Sequence, residues 1–106
     1  MFLARVTGSI VATQKALSMT GQKLLIVEPL RVDPLDRSRL VGTGRSFVAV
    51  DSVGAGSEQI VLIVQGSSAR LTPQTEKLPI DTAIIGIVDT VQVGDNTVFD
   101  ARNDRG

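Results

Sequence analysis

Apolar and polar residues alternate along several short stretches of the chain, with the period of two that is typical of β-strands. Near the N-terminus, Phe2, Ala4 and Val6 fall on one face of such a stretch, while Leu3, Arg5 and Thr7 fall on the other. The same pattern, interrupted by glycine, proline and polar residues, predicts five main strands. These strands are Phe2 to Thr13, Gln22 to Leu30, Ser46 to Val53, Gln59 to Gln65, and Ile80 to Val93. Residues 97–99 are expected to add a short edge strand.

Composition agrees with a β-protein, because valine, isoleucine and threonine supply 31 of the 106 residues and their branched side chains favour strands. Gly8 and Gly86 lie inside two of the expected strands, where glycine often marks a bulge or a sharp bend. We therefore expect an all-β chain that forms a small five-stranded OB-like Greek-key barrel. Periodicity alone leaves a small sandwich open as the alternative.

Length predicts a single domain. Residues 1–99 are expected to form the barrel, and residues 100–106, which are mostly polar or charged, a flexible tail. Two connections look exposed: Arg31 to Arg45, which carries four arginines, and Leu71 to Pro79. Between the fourth strand and the second connection, Gly66 to Arg70 is predicted to form a turn, which could be a short turn of helix.

The chain has no His, Cys, Trp or Tyr, and this limits the catalytic and metal-binding chemistry that it can carry out. A Ser-His-Asp triad, a thiol nucleophile, a disulfide and the usual ligands of zinc, haem and iron–sulfur clusters are all excluded. We expect no cofactor, no metal and no catalytic residue set. The longest aliphatic run, at residues 60–64, is far shorter than the ~20 residues of a membrane span. With no signal-peptide pattern at the start, the chain is expected to be cytoplasmic and to have no membrane partner.

The net charge and the mean hydropathy of the chain indicate which kinds of partner to expect. The chain has 11 basic and 11 acidic residues and no net charge, which argues against non-specific nucleic-acid binding. Its mean hydropathy of +0.21 is high for a small soluble monomer. Either a well-filled core or apolar surface buried against other subunits would account for that value.

Two functions other than assembly have some support in the residues. An OB-like barrel could be a single-stranded nucleic-acid or ligand-binding module that uses the arginines of residues 31–45, but only three phenylalanines are available for stacking. A small carboxylate-dependent enzyme could use Asp51, Asp81 or Asp89 if the fold brought them together. The Gly-Thr-Gly and Gly-Ala-Gly pieces at residues 42 and 54 lack the third glycine of a dinucleotide fingerprint and are expected to form tight turns.

Five segments in order carry a resemblance to a known family. They are Ala12-Thr13-Gln14-Lys15, Gly21-Gln22-Lys23-Leu24-Leu25, Ala49 to Gly56, Val64 to Arg70, and Ile85 to Asp89. Together they resemble the pentameric vertex proteins of bacterial microcompartments, the EutN/CcmL family, over nearly the whole chain. The resemblance implies a non-enzymatic protein whose homo-pentamer closes the vertices of a polyhedral shell that hexameric shell proteins otherwise tile.

The resemblance also suggests roles for particular residues. Gly66, Ser67 and Ser68 become candidates for lining an opening on the five-fold axis, and Arg70 a candidate for an intersubunit or loop-fixing ion pair. The turn Gly54-Ala55-Gly56 becomes a candidate interface or loop-fixing element. In the family this turn often continues with another glycine, whereas residues 57–59 here are serine, glutamate and glutamine. The arginine-rich connection also departs from the family pattern.

Overall fold

The computed structural model describes residues 1–12, 22–66, 69 and 81–102. Eight β-strands form in these ranges. They are β1 (Phe2–Ile10), β2 (Lys23–Val32), β3 (Leu40–Gly42), β4 (Phe47–Asp51), β5 (Ile60–Gln65), β6 (Thr82–Ile87), β7 (Thr90–Val93) and β8 (Asn96–Asp100).

Five of these strands close a barrel. Their order around it is β1-β5-β6-β4-β2, and an additional pairing between β1 and β2 completes the circle. All neighbours in the barrel are antiparallel except β4 and β6, which run parallel and pair Val50 with Ala83 and Asp51 with Ile84. The prediction of an all-β chain with a five-stranded OB-like barrel is confirmed.

Small irregularities bend the strands around the barrel. The pairing of β1 with β2 shifts register between Val6 and Gly8, as the glycine in the first strand predicted. The pairing of β5 with β6 shifts between Leu62 and Ile63, opposite Gly86. Each shift inserts a residue on one strand and increases the local twist, which helps a short sheet to close.

The strand expected over Ile80 to Val93 is instead two strands. The amide of Val88 donates to the carbonyl of Ile60 at 2.9 Å, and this is the last backbone hydrogen bond to the barrel among the described residues before the chain leaves it. β7 begins at Thr90 and pairs with β8, through a turn at Gly94, as a separate two-stranded sheet. A further difference concerns the arginine-rich connection, where β2 extends to Val32 and pairs with β3.

The core fills the inside of the barrel. Every barrel strand contributes to one cluster of almost fully buried aliphatic side chains. Its members on the strands are Ala4, Val6, Leu25, Val27, Ala49, Val61, Ile63 and Ile84, and Phe2 and Phe47 pack against it. Burial of each large aliphatic side chain contributes about 1.5–3 kcal/mol, so this cluster is the main favourable contribution to folding.

Candidate functional site: the barrel-end turn, the loop after β5 and the outer face

The Gly54-Ala55-Gly56 turn is held by the carboxylate of Asp51, the last residue of β4. One carboxylate oxygen accepts hydrogen bonds from the amides of Val53 and Gly54, at 3.0 and 3.1 Å, and the other accepts from the amide of Ala55 at 2.8 Å. Gly54 has a φ of 83°, a conformation that favours glycine. The Asp51 side chain is fully buried, so these three donors replace the water that an ionised carboxylate needs.

Lys23 completes this arrangement from the neighbouring strand. It faces Asp51 in the β2–β4 register, and its Nζ lies 3.6 Å from an Asp51 carboxylate oxygen. The same ammonium donates to the Ala55 carbonyl at 2.8 Å. Ala55 itself is fully buried within the core cluster, so the turn closes over one end of the barrel.

The turn continues into residues that sequence analysis marked as a departure from the family pattern. The amide of Gly56 donates to the side chain of Gln59 at 2.6 Å. Glu58 has a φ of 70°, and it is the one non-glycine residue with positive φ in the described part of the chain. Its carbonyl accepts a hydrogen bond from Arg5 Nη1 at 2.8 Å, and its amide donates to the Val6 carbonyl at 2.9 Å.

The carboxylates considered for catalysis do not form an acid–base pair. Asp51 is buried and occupied by Lys23 and the three turn amides, whereas Asp81 and Asp89 are exposed. No group of three or more metal-ligating side chains occurs among the described residues. The contacts of Asp51 therefore explain how the turn is held, and the separation of the three acids gives no support to the hypothesis of a carboxylate-dependent enzyme.

The loop after β5 is closed at its base by Gly66 and Asp81. Gly66 has a φ of 66°, and its amide donates to the Asp81 carbonyl at 2.7 Å, just beyond the last β5–β6 pair. Ala69 is fully buried in a second apolar cluster, with Val50, Val64 and Ala83. Ser67, Ser68 and Arg70, the other candidates in this segment, lie outside the described residues.

The second apolar cluster lies on the outer face of the barrel. Val50, Val64 and Ala83 each follow or precede a core residue on their strand, and successive side chains of a strand point to opposite faces. Leu24 and Ile85 pack against this cluster. β4, β5 and β6 are thus apolar on both faces.

The arginine-rich connection is ordered by its own acidic residues. Asp33 accepts a hydrogen bond from the amide of Leu35 at 2.9 Å and lies 3.5 Å from the Arg39 guanidinium. A hydrogen bond from the Ser38 hydroxyl lowers the pKa of Asp36 below its usual value, and a bond from the Ser38 amide makes a second, smaller contribution in the same direction. This connection is therefore a structured turn that leads into β3.

Glu28 fixes the far end of the connection, a role that sequence analysis missed. Its carboxylate accepts a hydrogen bond from the amide of Gly44 at 2.9 Å. Both the amide and the hydroxyl of Thr43 donate to the Pro29 carbonyl, at 3.0 and 2.9 Å. The alternation of strand residues could have placed Glu28 on a polar face, but only the β2–β3 pairing shows what it contacts.

A surface for single-stranded nucleic acid combines exposed aromatic side chains with a basic groove, and the described residues do not combine the two. Phe99 is buried, and Phe2 and Phe47 pack against the core with ring centroids 6.0 Å apart. Arg45 lies over the Phe47 ring at 5.6 Å, and Arg39 is paired with Asp33. The described residues thus offer no aromatic platform of the kind on which bases stack. Within the same ranges, no helix has the length and apolar character that a membrane span requires.

Comparison with known proteins identifies the class of protein. The family model described as ethanolamine utilisation protein EutN/carboxysome matches residues 1–89. The chain is 49% identical over 92 residues to the bacterial microcompartment shell vertex protein PduN of Salmonella typhimurium, with 86% of this chain and 98% of PduN covered. It therefore belongs to the EutN/CcmL family, as the five sequence segments indicated.

Solved structures give the same result. The structure of CcmL from Gloeobacter violaceus aligns with a TM-score of 0.83 at 36% identity, covering 97% of this chain and 100% of that one. The GrpN pentameric microcompartment shell protein from Rhodospirillum rubrum aligns with a TM-score of 0.74 at 42% identity, covering 89% and 100%. Relatives named as shell vertex proteins are structural proteins, in agreement with the expectation that this chain is not an enzyme.

Proposed function

We propose that this chain is a structural shell protein whose homo-pentamer closes the vertices of a bacterial microcompartment. Its relatives are named as shell vertex proteins and match it over most of their length, and two solved neighbours are described as pentameric. The setting that follows is the cytoplasm of a bacterium, within a polyhedral shell. Hexameric shell proteins would be the neighbours of each ring.

The observation that carries this proposal is the apolar outer face of the barrel. The second cluster on this face (Val50, Val64 and Ala83) is already buried within the chain, but Val48 on the same face remains 51% exposed, and Ile87 at the end of β6 remains 38% exposed. A ring pairs one patch of each subunit with a different patch of the next and closes when the rotation fits. Outward-facing aliphatic residues supply surface that such contacts would remove from water.

Native mass at moderate ionic strength tests the ring. Five chains of 11.2 kDa give about 56 kDa, which is the expected result. A six-fold mass would contradict the pentamer while leaving the family intact. A monomer at high protein concentration would contradict assembly and return the arginine-rich connection to consideration as a binding surface.

Within the pentamer, Gly66, Ser67 and Ser68 are proposed to line the opening on the five-fold axis. The small side chains of this segment allow close approach of five copies, and the Gly66–Asp81 hydrogen bond fixes where the segment leaves the barrel. Ser67→Glu or Ser68→Glu should therefore alter the ring or its opening and leave the monomer fold intact. If high-resolution structures of both variants show an unchanged ring and opening, this assignment is wrong.

Arg70 and the Gly54-Ala55-Gly56 turn are proposed as interface or loop-fixing elements. For the turn, support comes from its bonds to Asp51 and Lys23, which hold it in one conformation. For Arg70 the proposal rests on the family resemblance. Arg70→Gln should reduce ring stability in native mass spectra taken over a concentration series, with Arg37→Gln, on the exposed connection, as the matched control.

Shell closure is tested by producing hexameric shell proteins with and without this chain. Flat hexameric sheets need five-fold units to close, so electron microscopy should show closed polyhedra only when this chain is present. Open sheets or tubes in both preparations would contradict the vertex role, even if the native mass were that of a pentamer.

A further inference from the structure

A groove of about 570 Å³ lies where the β7–β8 hairpin meets the barrel. Arg5 and Ile60, which face each other in register on β1 and β5, line its barrel side. Arg39 and Leu40 contribute from the start of β3, and residues 97–100 contribute from β8. The groove thus joins three parts of the fold that are far apart in sequence.

The groove runs along residues 97–100 of β8, all four of which line it. Val98 is the extra residue of a bulge, because Phe99 pairs with Val91 and Thr97 with Gln92. In the described part of the chain, β8 has a hydrogen-bonded ladder with β7 alone, so its other edge is open to a further strand.

A second strand end borders the same groove. β3 lies at the end of the six-stranded sheet order and pairs with β2, and Leu40, its first residue, lines the groove. Ile60 is fully buried and Phe99 is 9% exposed, so the groove has apolar walls beside strand edges that no other described strand pairs with. Extended peptides bind other proteins at such sites by pairing main chains and placing alternate side chains in pockets.

The charges at the groove favour a partner with carboxylate groups. Arg5 and Arg39 are its two basic residues, and Arg39 is 62% exposed in its side chain. The one acid in the lining, Asp100, is held by Arg102 through contacts of 3.1 and 3.3 Å. These hydrogen bonds lower the pKa of Asp100, which keeps it ionised and engaged with Arg102. A guanidinium has five N–H donors, so Arg39 can meet a carboxylate while it contacts Asp33.

We propose that this groove binds an extended, acidic segment of a partner protein, which adds to β8 as the third strand of the β7–β8 sheet. Its main chain pairs with the open edge of β8, its apolar side chains pack on Leu40 and Val98, and its carboxylates meet Arg39. The inference goes beyond ring formation, because the groove is formed within one chain.

A synthetic peptide provides the first test. The probe is a capped, fluorescently labelled peptide of eight residues that alternates valine with glutamate or threonine, titrated into the intact assembly by anisotropy. Two control peptides carry either glutamine in place of glutamate or N-methyl groups on alternate amides. Each change should weaken binding about tenfold or more, since one removes the charge and the other the strand pairing. Equal binding of the N-methylated peptide would overturn strand addition.

Variants of the protein provide the second test. Arg39→Gln removes a charge at the groove without placing a carboxylate beside Asp33, and it should weaken the acidic peptide about tenfold. Arg37→Gln is the matched control, because Arg37 lines a different hollow, with Val32 and Pro34, and it should change affinity less than twofold. Equal losses in both variants would indicate general charge attraction and overturn the site.

Amide hydrogen exchange locates the binding and separates this proposal from the ring. Bound peptide should slow exchange in residues 97–100 at least tenfold, with the native mass otherwise unchanged. Amides that are already protected without peptide, together with no peptide binding, would mean that a neighbouring copy fills the groove, and would overturn the proposal. A native mass other than about 56 kDa for the unliganded protein would contradict the pentamer but not this proposal, which the peptide titration would still support or overturn.

Discussion

The ammonium of Lys23 lies 3.6 Å from a carboxylate oxygen of Asp51 and 2.8 Å from the carbonyl of Ala55. This contact joins the start of β2 to the end of β4 and to the turn that follows it. The Asp51 side chain is fully buried, whereas that of Lys23 is 53% exposed. The two partners therefore contribute unequally: the loss of Asp51 leaves three turn amides without an acceptor, among them the buried amide of Ala55, while the loss of Lys23 leaves all three bonded.

Replacing Asp51 with alanine should lower the free energy of unfolding by about 3 kcal/mol. The buried amide of Ala55, left without an acceptor, costs about 1–3 kcal/mol, and the half-exposed ion pair with Lys23 is lost at the same time. Lys23→Ala should cost less, about 1 kcal/mol, since its side chain is half exposed. Urea unfolding at one fixed protein concentration measures both values, because assembly makes stability depend on concentration.

Asp89→Ala is the matched control for Asp51, because Asp89 is an exposed acid just after β6. Its effect should stay within about 0.5 kcal/mol. If Asp51→Ala is as mild as this control, the carboxylate does not hold the turn in the way its contacts indicate.

Glu58→Gly should raise the free energy of unfolding by about 0.5–1 kcal/mol. At a φ of 70° a side chain costs about 1–2 kcal/mol, which outweighs the extra freedom that glycine gives the unfolded chain. The hydrogen bond from Arg5 is made to the main-chain carbonyl and survives the change. Thermal and urea unfolding would both measure the difference.

Two controls accompany Glu58→Gly. Glu58→Ala retains the Cβ and should be close to neutral, while Ser57→Gly, at a neighbouring residue without positive φ, should lower stability by up to about 1 kcal/mol. An equal gain from the Gly and Ala variants at residue 58 would show that backbone strain is not the cause.

The barrel was predictable from sequence because its signals are local. Apolar runs at residues 47–50 and 60–64 give β4 and β5, and Gly8 marks the bulge in β1. The break between β6 and β7 was not predictable in this way. Residues 87–90 contain neither glycine nor proline, so no residue type marks the end of the strand. Its end depends on a contact between distant parts of the chain, the hydrogen bond from the Val88 amide to the Ile60 carbonyl.

The site was predictable to a smaller extent. Gly54 and Gly66 both have the positive φ that glycine-rich turns suggest, so the glycines indicated two turns correctly. Lys23 and Glu28 were missed, since their contacts with residues 51–55 and 42–44 depend on strand register between distant parts of the chain. Pairing of this kind leaves no short-range pattern in the sequence.

Acid should weaken the arginine-rich connection through Asp36. The Ser38 hydroxyl and amide bond to its carboxylate and place its pKa in the folded chain below the ordinary value of 3.8. A lowered folded pKa means that the contribution is present above about pH 3.8 and is lost as pH falls through the folded value. The effect should be small, because Asp36 is exposed.

Asp36→Asn provides the measurement. The variant should show a smaller loss of unfolding free energy between pH 5 and pH 2 than the unchanged protein. Asp95→Asn, which replaces an exposed acid at the β7–β8 turn, is the matched control. Identical pH profiles for all three proteins would mean that Asp36 has the same pKa in the folded and unfolded chains.

Gly42→Ala and Glu28→Ala should show strong coupling. A Cβ at residue 42 would lie only 2.5–2.9 Å from the Glu28 carboxyl group, so the glutamate must move and release the amide of Gly44. Each single variant should therefore cost about 1 kcal/mol, through the loss of the same hydrogen bond. The Glu28→Ala variant removes all three of these carboxyl atoms, so in that background Gly42→Ala should cost about 0.3 kcal/mol or less. A double-mutant cycle by urea unfolding measures the coupling, and additive costs would show that Glu28 does not fix this end of the connection.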